Sequence, residues 1–430
     1  MNTSVKLAFM ALAGLFLQGC GSTTSQLQVN NPLNVQRVDE PIVISRVELA
    51  RKIGELPEGM VPLVKNSDGK ALASQVDDLD GDGSWDELAF VCNLQPNEHK
   101  TLKVVLVSKD SVPEFTKRTN VRLGIGTHEE GFKGVDHAFS PKGYEGLPIK
   151  YQAESVSWEN DRMAFRNYFD VRNAKDLFGK TTHDMVMDKV GTKESGTYHK
   201  LSSWGMDVLH VGPSLGSGGL AMYHCDSLYR LGATDVFEFK VVSRGPVRSI
   251  FDLNFKGWHV DGKDLTAQER ITIWAGKYWF KSDVTMSGFE DQRELAIGIV
   301  TSYLKNNKPF RAEANKNYTM VGTHDAQSMN EDILGMGVVL NSAQVVRDGD
   351  APHLKVVKLG TAGFAASRYN KPVGETHFVT QTIKSGVPAT HYFFAVWEKE
   401  NVKWRERFHF EELMSQEADK FSAPVVVNMQ

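Results

Sequence analysis

Short runs in which apolar and polar residues alternate recur along the chain. The clearest are residues 236–241 (VFEFKV) and residues 270–274 (RITIW). Successive side chains of a β-strand point to opposite faces of a sheet, so this alternation predicts half-buried strands. By the same criteria of residue type and flanking turn residues, strands are expected at residues 42–49, 88–94, 101–107, 236–243, 247–255, 269–274, 278–286 and 391–397.

Helical periodicity is scarce. Residues 405–421 form the best candidate, because five apolar side chains would fall on one helix face. The chain shows no strand–helix–strand alternation and no glycine-rich phosphate loop, which disfavours nucleotide-binding folds. Residues 306–330 are polar, and we expect a loop there. The five apolar residues of the candidate helix are Phe410, Leu413, Met414, Ala418 and Phe421.

These elements predict an all-β protein built in two parts. The chain has 430 residues, a length that suits two or three domains or one large β domain. A boundary is expected near residues 111–120. We expect a small N-terminal β-sandwich at residues 31–115 and a large antiparallel β-supersandwich at residues 116–430.

Composition narrows the classes of function. Hydrophobic residues make up 41% of the chain and charged residues 24%, which argues against a mainly disordered protein. The formal net charge is −4, and no basic run stands out. Because binding to nucleic acid depends on clustered Lys and Arg, nucleic acid is not an expected partner.

The first 19 residues are predicted to be a signal peptide. Residues 7–17 (LAFMALAGLFL) form an apolar run that is too short for a stable membrane span. The next residues, LQGC, resemble the lipobox of bacterial lipoproteins, whose cysteine becomes the acylated first residue. The resemblance implies lipidation of Cys20, attachment to the membrane through that lipid, and a polar tether at residues 20–30. Gly21 in place of an aspartate favours the outer membrane.

The sequence does not decide whether Cys20 is lipidated or whether the other two cysteines form a disulfide. A plain secreted protein with an incidental Cys20 would have the same leader. Cys92 and Cys225 are the other two cysteines. They could pair in an oxidising compartment, or remain as two buried free thiols.

The sequence DLDGDGSWDE contains an acidic loop. Carboxylates at loop positions 1, 3, 5 and 9 with Gly83 at position 6 match a Ca²⁺-binding template. Position 12 is Ala89, so the terminal glutamate of an EF-hand is absent. We expect a structural Ca²⁺ site of the kind found in extracellular β proteins, with a solvated acidic turn as the alternative. The expected ligands are Asp78, Asp80, Asp82, Ser84 and Asp86.

Charged and aromatic side chains alternate along residues 162–172. On one continuous strand they would all project from the same face. Arginine binds carboxylates in bidentate fashion, so this face would suit an anionic ligand such as a uronate. A ladder of arginine–aspartate pairs on a solvated sheet is the alternative. The residues of this face are Arg162, Arg166, Tyr168, Asp170 and Arg172.

A second group of polar residues follows at residues 183–207. His199 lies in a predicted loop and is the candidate general base, with Asp207 to orient its ring. Trp204 offers a flat apolar surface for a sugar ring. A structural or exposed role for any one of these histidines remains the alternative. His183 and Tyr198 are further candidate contacts to a substrate.

Four segments resemble a bacterial family catalogued only as a domain of unknown function. They are DDLDGDGSWDEL, DRMAFRNYFDVRNAKDLFGK, YHKLSSWGMDVLHVG and RGPVRSIFDLNF. Members are secreted proteins, often encoded beside genes for degradation of pectin and other uronate polysaccharides. The resemblance covers about residues 30–427. The segments GPVRSIFDLNF and ERITIWAGKYWFKSDVTMSG are also similar to the galactose-mutarotase-like supersandwich, which several polysaccharide lyases and glycoside hydrolases share.

Together these features lead us to expect a carbohydrate-active enzyme of the periplasm or cell surface. Its substrates would be uronate-containing poly- or oligosaccharides, cleaved by β-elimination or by hydrolysis. In the lyase version Arg166 and Arg162 neutralise the uronate carboxylate, His199 takes the proton, and Tyr168 or Tyr198 is the acid. The full set of expected site residues is His199, Tyr168, Arg166 and Asp207 for catalysis, and Arg162, Asp170, His183, Tyr198 and Trp204 for binding.

Two alternative hypotheses propose a function without catalysis. A glycan-binding lipoprotein would use tryptophans as stacking platforms for sugar rings. A structural envelope protein would have no affinity for sugars. The candidate platforms are Trp158, Trp204, Trp258 and Trp274.

Overall fold

The computed structural model of the protein describes residues 24–54, 56–351 and 372–430. The expected signal peptide and the expected lipidation site at Cys20 lie outside these described residues. No helix in the described ranges is long and apolar enough to cross a membrane.

Twenty-seven strands and two α-helices run through the described residues. The first six strands are β1 Thr24–Asn30, β2 Arg37–Ser45, β3 Met60–Lys65, β4 Ser74–Asp77, β5 Glu87–Leu94 and β6 His99–Ser108. The next ten are β7 Thr119–Thr127, β8 Gly131–Val135, β9 His137–Ser140, β10 Tyr151–Asn160, β11 Met163–Tyr168, β12 Lys175–Lys180, β13 Gly205–Asp207, β14 Ser217–His224, β15 Ser227–Arg230 and β16 Val236–Arg244. The last eleven are β17 Arg248–Val260, β18 Lys263–Trp274, β19 Trp279–Ser287, β20 Arg293–Val300, β21 Phe310–Asn315, β22 Tyr318–Asp325, β23 Leu334–Asn341, β24 Val345–Asp350, β25 Thr376–Ile383, β26 Ala389–Trp397 and β27 Val426–Met429. The helices are α1 Arg46–Ile53 and α2 Arg407–Ser422.

Two small antiparallel sheets form the N-terminal part. One has the strand order β27-β1-β6-β3 and the other β2-β5-β4. Their apolar faces meet, together with helix α1, in one core. This is the small β-sandwich that the strand pattern predicts. Its buried side chains include Leu27, Ile44, Leu49, Phe90 and Val104.

Three larger antiparallel sheets form the second part. The six-stranded sheet has the order β13-β12-β11-β10-β7-β8, and the five-stranded sheet has the order β15-β14-β20-β25-β24. The nine-stranded sheet has the order β21-β22-β23-β26-β19-β18-β17-β16-β9. Trp158, Leu220 and Phe251 come from these three sheets in turn, and all three side chains lie in one hydrophobic core. The nine-stranded sheet therefore packs against the other two, which confirms the predicted all-β class.

Three segments differ from the sequence expectations. Helix α1 replaces the second half of the strand expected at residues 42–49. Ser45 caps it, because its side chain accepts from the Glu48 backbone while the Glu48 side chain accepts from the Ser45 backbone. Residues 306–330 contain strands β21 and β22 instead of a loop alone. Strand β1 occupies most of the expected tether and pairs with β6 and β27.

The C-terminal segment is shared between the two parts. Helix α2 confirms the helix expected at residues 405–421, and its buried face packs on the outer side of the nine-stranded sheet. Strand β27 then returns to the N-terminal sandwich and pairs with β1. The expected boundary that gave residues 116–430 to one part is therefore wrong for this last strand. Cys92 is buried and Cys225 is exposed, and both are free thiols.

A buried ionic network joins the two parts. Lys277 Nζ lies 3.4 Å from a carboxylate oxygen of Glu40 and 3.5 Å from one of Glu417 in helix α2. Burial opposes the charge on Glu417, but Lys277 and Lys420 outweigh it and lower the pKa of Glu417 to about 2. These charges remain paired at neutral pH, and they tie helix α2 to both parts.

Candidate functional site

Strand β11 carries the centre of the site. Met163 and Phe165 face the large core, so the alternate residues Ala164 and Arg166 face away from it. Tyr168, the last residue of the strand, contacts both the core and Arg166. The strand ends at Tyr168. The expectation that all five polar residues of this segment share one strand face is therefore wrong, because Arg162 precedes the strand and Asp170 and Arg172 follow it.

Arg166 is almost completely buried and uses all of its guanidinium nitrogens inside the protein. Nε and Nη2 donate to Asp176 on β12, at 2.9 and 2.5 Å. Nη2 also donates to Asp207 on β13 at 2.9 Å. Nη1 donates to the carbonyl oxygen of Ala153 at 3.2 Å. Three neighbouring elements thus bring two carboxylates to one buried cation.

Aromatic rings complete the enclosure of this cation. The Tyr168 hydroxyl accepts from Arg166 and donates to Asp176, both at 2.9 Å. The Tyr198 hydroxyl accepts from Arg166 Nη1 at 3.2 Å. The guanidinium carbon lies 4.7 to 5.3 Å from the ring centroids of Tyr168, Phe178 and Tyr198. Cation–π attraction therefore adds to the ion pairs.

The electrostatics of this cluster follow from its burial. Burial alone disfavours the charged guanidinium, but attraction to Asp176 and Asp207 outweighs it and raises the pKa of Arg166 well above its ordinary value. Burial, only partly offset by Arg166, raises the pKa of Asp176 to about 6. Burial also raises the pKa of Tyr168 well above its ordinary range. Arg166 is therefore a permanent cation, and Tyr168 is a neutral phenol at physiological pH.

His199 is the solvent-facing member of the group. Its Nδ1 lies 3.4 Å from Asp207 Oδ2, and its side chain is 52% exposed. Its ring centroid is 4.4 Å from that of Tyr198. The hydrogen bond to Asp207 raises the pKa of His199 above its ordinary value. An imidazole that can gain or lose a proton at the surface is thus held by a buried carboxylate, which is the arrangement of an oriented acid–base residue.

The expected roles of Arg166 and Tyr168 need correction. Both side chains are enclosed, and their polar atoms are occupied by Asp176 and Asp207. They are placed to position Asp207 and His199, and not to contact a substrate. Asp176 is a further member of this cluster that was not among the residues expected from the sequence. Its alternation with Phe178 and Lys180 on β12 was the available signal, since those side chains share one face.

Arg172 lies beside this cluster and nearer the surface. Its guanidinium carbon is 3.7 Å from the Tyr168 ring centroid. It pairs with buried Asp170 at 2.5 Å and with partly exposed Glu154 at 2.7 Å. Burial opposes its charge, yet these partners raise the pKa of Arg172 well above its ordinary value. Arg172 is therefore better placed than Arg166 to meet an anionic group from solvent.

Arg162 and His183 lie in a different neighbourhood. Arg162 donates to Glu400 at 3.2 Å and sits over the Tyr278 ring. His183 Nδ1 lies 3.0 Å from the carbonyl oxygen of Asp161. Arg162 precedes Arg166 by four positions, which is about 13 Å of extended chain. The structure therefore does not bring these two expected substrate contacts to His199.

The expected tryptophan platforms are used mainly for packing. Trp204 is partly buried and lies 6.3 Å from Phe178, ring centroid to ring centroid. It belongs to a small cluster that covers the outer face of the six-stranded sheet. Trp158, Trp258 and Trp274 are each 5% exposed or less. The platform role expected for these three is wrong, because their faces are covered by protein.

The acidic loop between β4 and β5 converges on one point. Carboxylate oxygens of Asp78, Asp80 and Asp86 lie within 4.8 Å of one another. The backbone N–H groups of Gly81 and Gly83 donate to Asp78 at 2.7 and 2.9 Å. The hydrogen bond from Gly83, followed by that from Gly81, lowers the pKa of Asp78. These oxygens fit a hard divalent cation.

Residues 29–427 match the family described as "Domain of unknown function (DUF4861)", and the chain belongs to this family. A curated relative, "Uncharacterized protein P7" of Formosa agariphila, is 26% identical over 329 residues. That match covers 72% of this chain and 74% of the relative.

Three solved structures show a distant similarity. An α-mannosidase from Enterococcus faecalis V583 is 10% identical, with a TM-score of 0.49 over 95% of this chain and 46% of its own. A protein of glycosyl hydrolase family 38 from Enterococcus faecalis is 8% identical, with a TM-score of 0.46 over 95% of this chain and 48% of its own. The chain thus spans about half the length of both. A putative aldose 1-epimerase from Klebsiella pneumoniae is 9% identical, with a TM-score of 0.33 over 68% of this chain and 96% of its own.

Proposed function

We propose that the protein is a carbohydrate-active enzyme that cleaves uronate-containing poly- or oligosaccharides. One observation carries the proposal: exposed His199 is oriented by buried Asp207, which Arg166 holds in turn. Abstraction of a proton from a sugar requires an exposed base in a fixed orientation, and an imidazole held by a buried carboxylate meets this requirement. The proposal includes attachment to the bacterial envelope through a lipid on Cys20, at the outer membrane.

β-Elimination is the more concrete version. Nδ1 of His199 faces Asp207, which leaves Nε2 to accept the proton from C5 of the uronate. The C5–H electron pair becomes the C4–C5 double bond, and the C4–O bond breaks with its electrons on the leaving oxygen. Arg172 would stabilise the charge that builds on the uronate carboxylate. Tyr198, which is only partly buried, would protonate the leaving oxygen.

Hydrolysis at the same site is the second version. A water molecule would then attack the anomeric carbon while the bond from that carbon to the leaving oxygen breaks. His199 would take a proton from the water, and Tyr198 would give one to the leaving oxygen. The glycan-binding lipoprotein remains the alternative without catalysis. These three cases differ in their products, which makes them separable.

The test is to incubate the purified full chain with a panel of uronate polysaccharides and their fragments. We expect soluble products, because exposed His199 is oriented as a base by buried Asp207. Ultraviolet absorbance reports the new double bond of a lyase, and reducing ends without absorbance indicate a hydrolase. Binding of fragments without any product would contradict the enzymatic proposal and favour the glycan-binding alternative.

Calcium bound at the acidic loop is a separate proposal. If Asp78, Asp80 and Asp86 hold the ion, Ca²⁺ at a hundredfold excess over its dissociation constant should stabilise the folded state by about 2.7 kcal/mol. Unfolding followed by fluorescence, with Ca²⁺ and with chelator, measures this difference. Asp86→Asn should remove it, whereas Asp68→Asn, an exposed acid outside the loop, should not. Equal stability of the wild type in both conditions would contradict the metal site.

A further inference from the structure

A second group of exposed polar residues lies just beyond strand β13. His210 follows Asp207 by three residues, so their Cα atoms are within about 11 Å. The His210 ring stacks on Tyr303, with the ring centroids 4.8 Å apart and the planes 9° from parallel. Nδ1 of His210 lies 3.2 Å from the Ser302 hydroxyl oxygen. The histidine is therefore fixed in orientation although it faces solvent.

Glu375 faces His210 across Gly212. A Cβ atom built on Gly212 would lie 3.2 Å from Cε1 of His210 and 3.3 Å from Oε2 of Glu375. A side chain at residue 212 would therefore fill the narrow gap between the imidazole and the carboxylate. Gly212 also has a φ of +51°, in the left-handed region that favours glycine.

The polar groups that face this gap have unused hydrogen-bonding capacity. Within the described ranges, no protein group hydrogen-bonds Nε2 of His210, and none pairs with the Glu375 carboxylate. Glu375 has a φ of +47°, a conformation that costs free energy in a residue other than glycine. The Tyr303 side chain is 39% exposed. An aromatic surface and two exposed acceptor groups therefore lie together around Gly212.

We infer that His210, Tyr303 and Glu375 form a subsite for a neutral sugar ring just beyond strand β13, which carries Asp207. An aromatic ring packs on the apolar face of a pyranose, and a carboxylate accepts hydrogen bonds from its hydroxyl groups. The negative charge of Glu375, which pairs with no group in the described part of the chain, repels a uronate carboxylate, so this position selects a neutral unit. The inference rests on the proposed function: a substrate of mixed composition places its uronate at His199 and Arg172 and another, neutral unit of the same chain here.

A matched pair of small probes tests the subsite. The full chain, labelled with ¹³C in its histidines, is titrated through the millimolar range with methyl galactopyranoside and separately with methyl galactopyranosiduronate. We expect the neutral glycoside to shift the Cε1–H signal of His210, assigned with His210→Gln, and the uronate to leave that signal unmoved. Tyr303→Ala should weaken binding of the neutral probe by about tenfold.

Three further variants complete the test. Gly212→Ala should block the gap and abolish the shift, and its melting temperature shows whether the fold is kept. Glu375→Gln should admit the uronate probe, whereas Glu130→Gln, an exposed acid elsewhere, should change nothing. A His210 signal unmoved by the neutral probe, or moved equally in Tyr303→Ala, overturns the subsite. Failure of the proposed function is seen separately, as no product from any uronate polysaccharide.

Discussion

Replacing Arg166 by alanine is expected to lower the free energy of unfolding by about 3–5 kcal/mol. The substitution leaves Asp176 and Asp207 buried without their cation. Each carboxylate then loses the attraction of the guanidinium but still carries the free-energy cost of its removal from water. Urea unfolding at neutral pH measures the change. Because burial already raises the pKa of Asp176 to about 6, the deficit should shrink as the pH falls below that value and Asp176 becomes protonated.

Arg162→Ala is the matched control for this prediction. Arg162 lies just before the same strand, but its ion pair with Glu400 is partly exposed. Exposed pairs contribute about 1 kcal/mol or less. Arg166→Lys should keep the charge but lose the forked hydrogen bonds of the guanidinium. Its loss in the free energy of unfolding should therefore lie between those of Arg162→Ala and Arg166→Ala. A loss for Arg166→Ala no larger than that for Arg162→Ala would show that the cluster does not depend on its central cation.

Replacing His199 by alanine is expected to lower turnover by about 10²–10⁴-fold on whichever uronate polysaccharide is cleaved. Stability should change by no more than about 0.5 kcal/mol, because the side chain is half exposed. A base must be neutral to accept a proton. Asp207 raises the pKa of His199, so the rate should rise with pH through a value above about 6.5. Asp207→Asn removes this effect and should move the rise to lower pH.

His259→Ala is the control for His199→Ala. His259 is also an exposed histidine beside a carboxylate, that of Asp264. It lies on strand β17, away from the cluster around Arg166, so its loss should leave turnover unchanged. Full turnover in His199→Ala would remove His199 from the mechanism. Loss of turnover in both variants would indicate a general effect on the fold.

The ion pairs around Arg166 show which features of the site follow from the local sequence pattern and which do not. Strand alternation is a local property, so it predicted that Arg166 and Tyr168 lie side by side on β11, where Arg166 donates to the Tyr168 hydroxyl. It could not show that the strand ends at Tyr168, nor that Asp176 and Asp207 arrive from two other strands. Those carboxylates lie 10 and 41 residues away along the chain. Because both carboxylates lie beside Arg166 in the sheet, Arg166 is bound to them and holds Asp207, and it is not available to bind a substrate.

The sequence by itself determined the all-β class, helix α2 and the acidic loop. Each of these depends on residues that are close along the chain, where side-chain periodicity and turn geometry act directly. The tertiary structure alone decided which charges are paired and which residues face solvent. It also decided that β27 returns to β1 and that His210 meets Glu375 across Gly212. Burial and pairing arise from strands that are distant in sequence, and no local pattern records which strands will become neighbours.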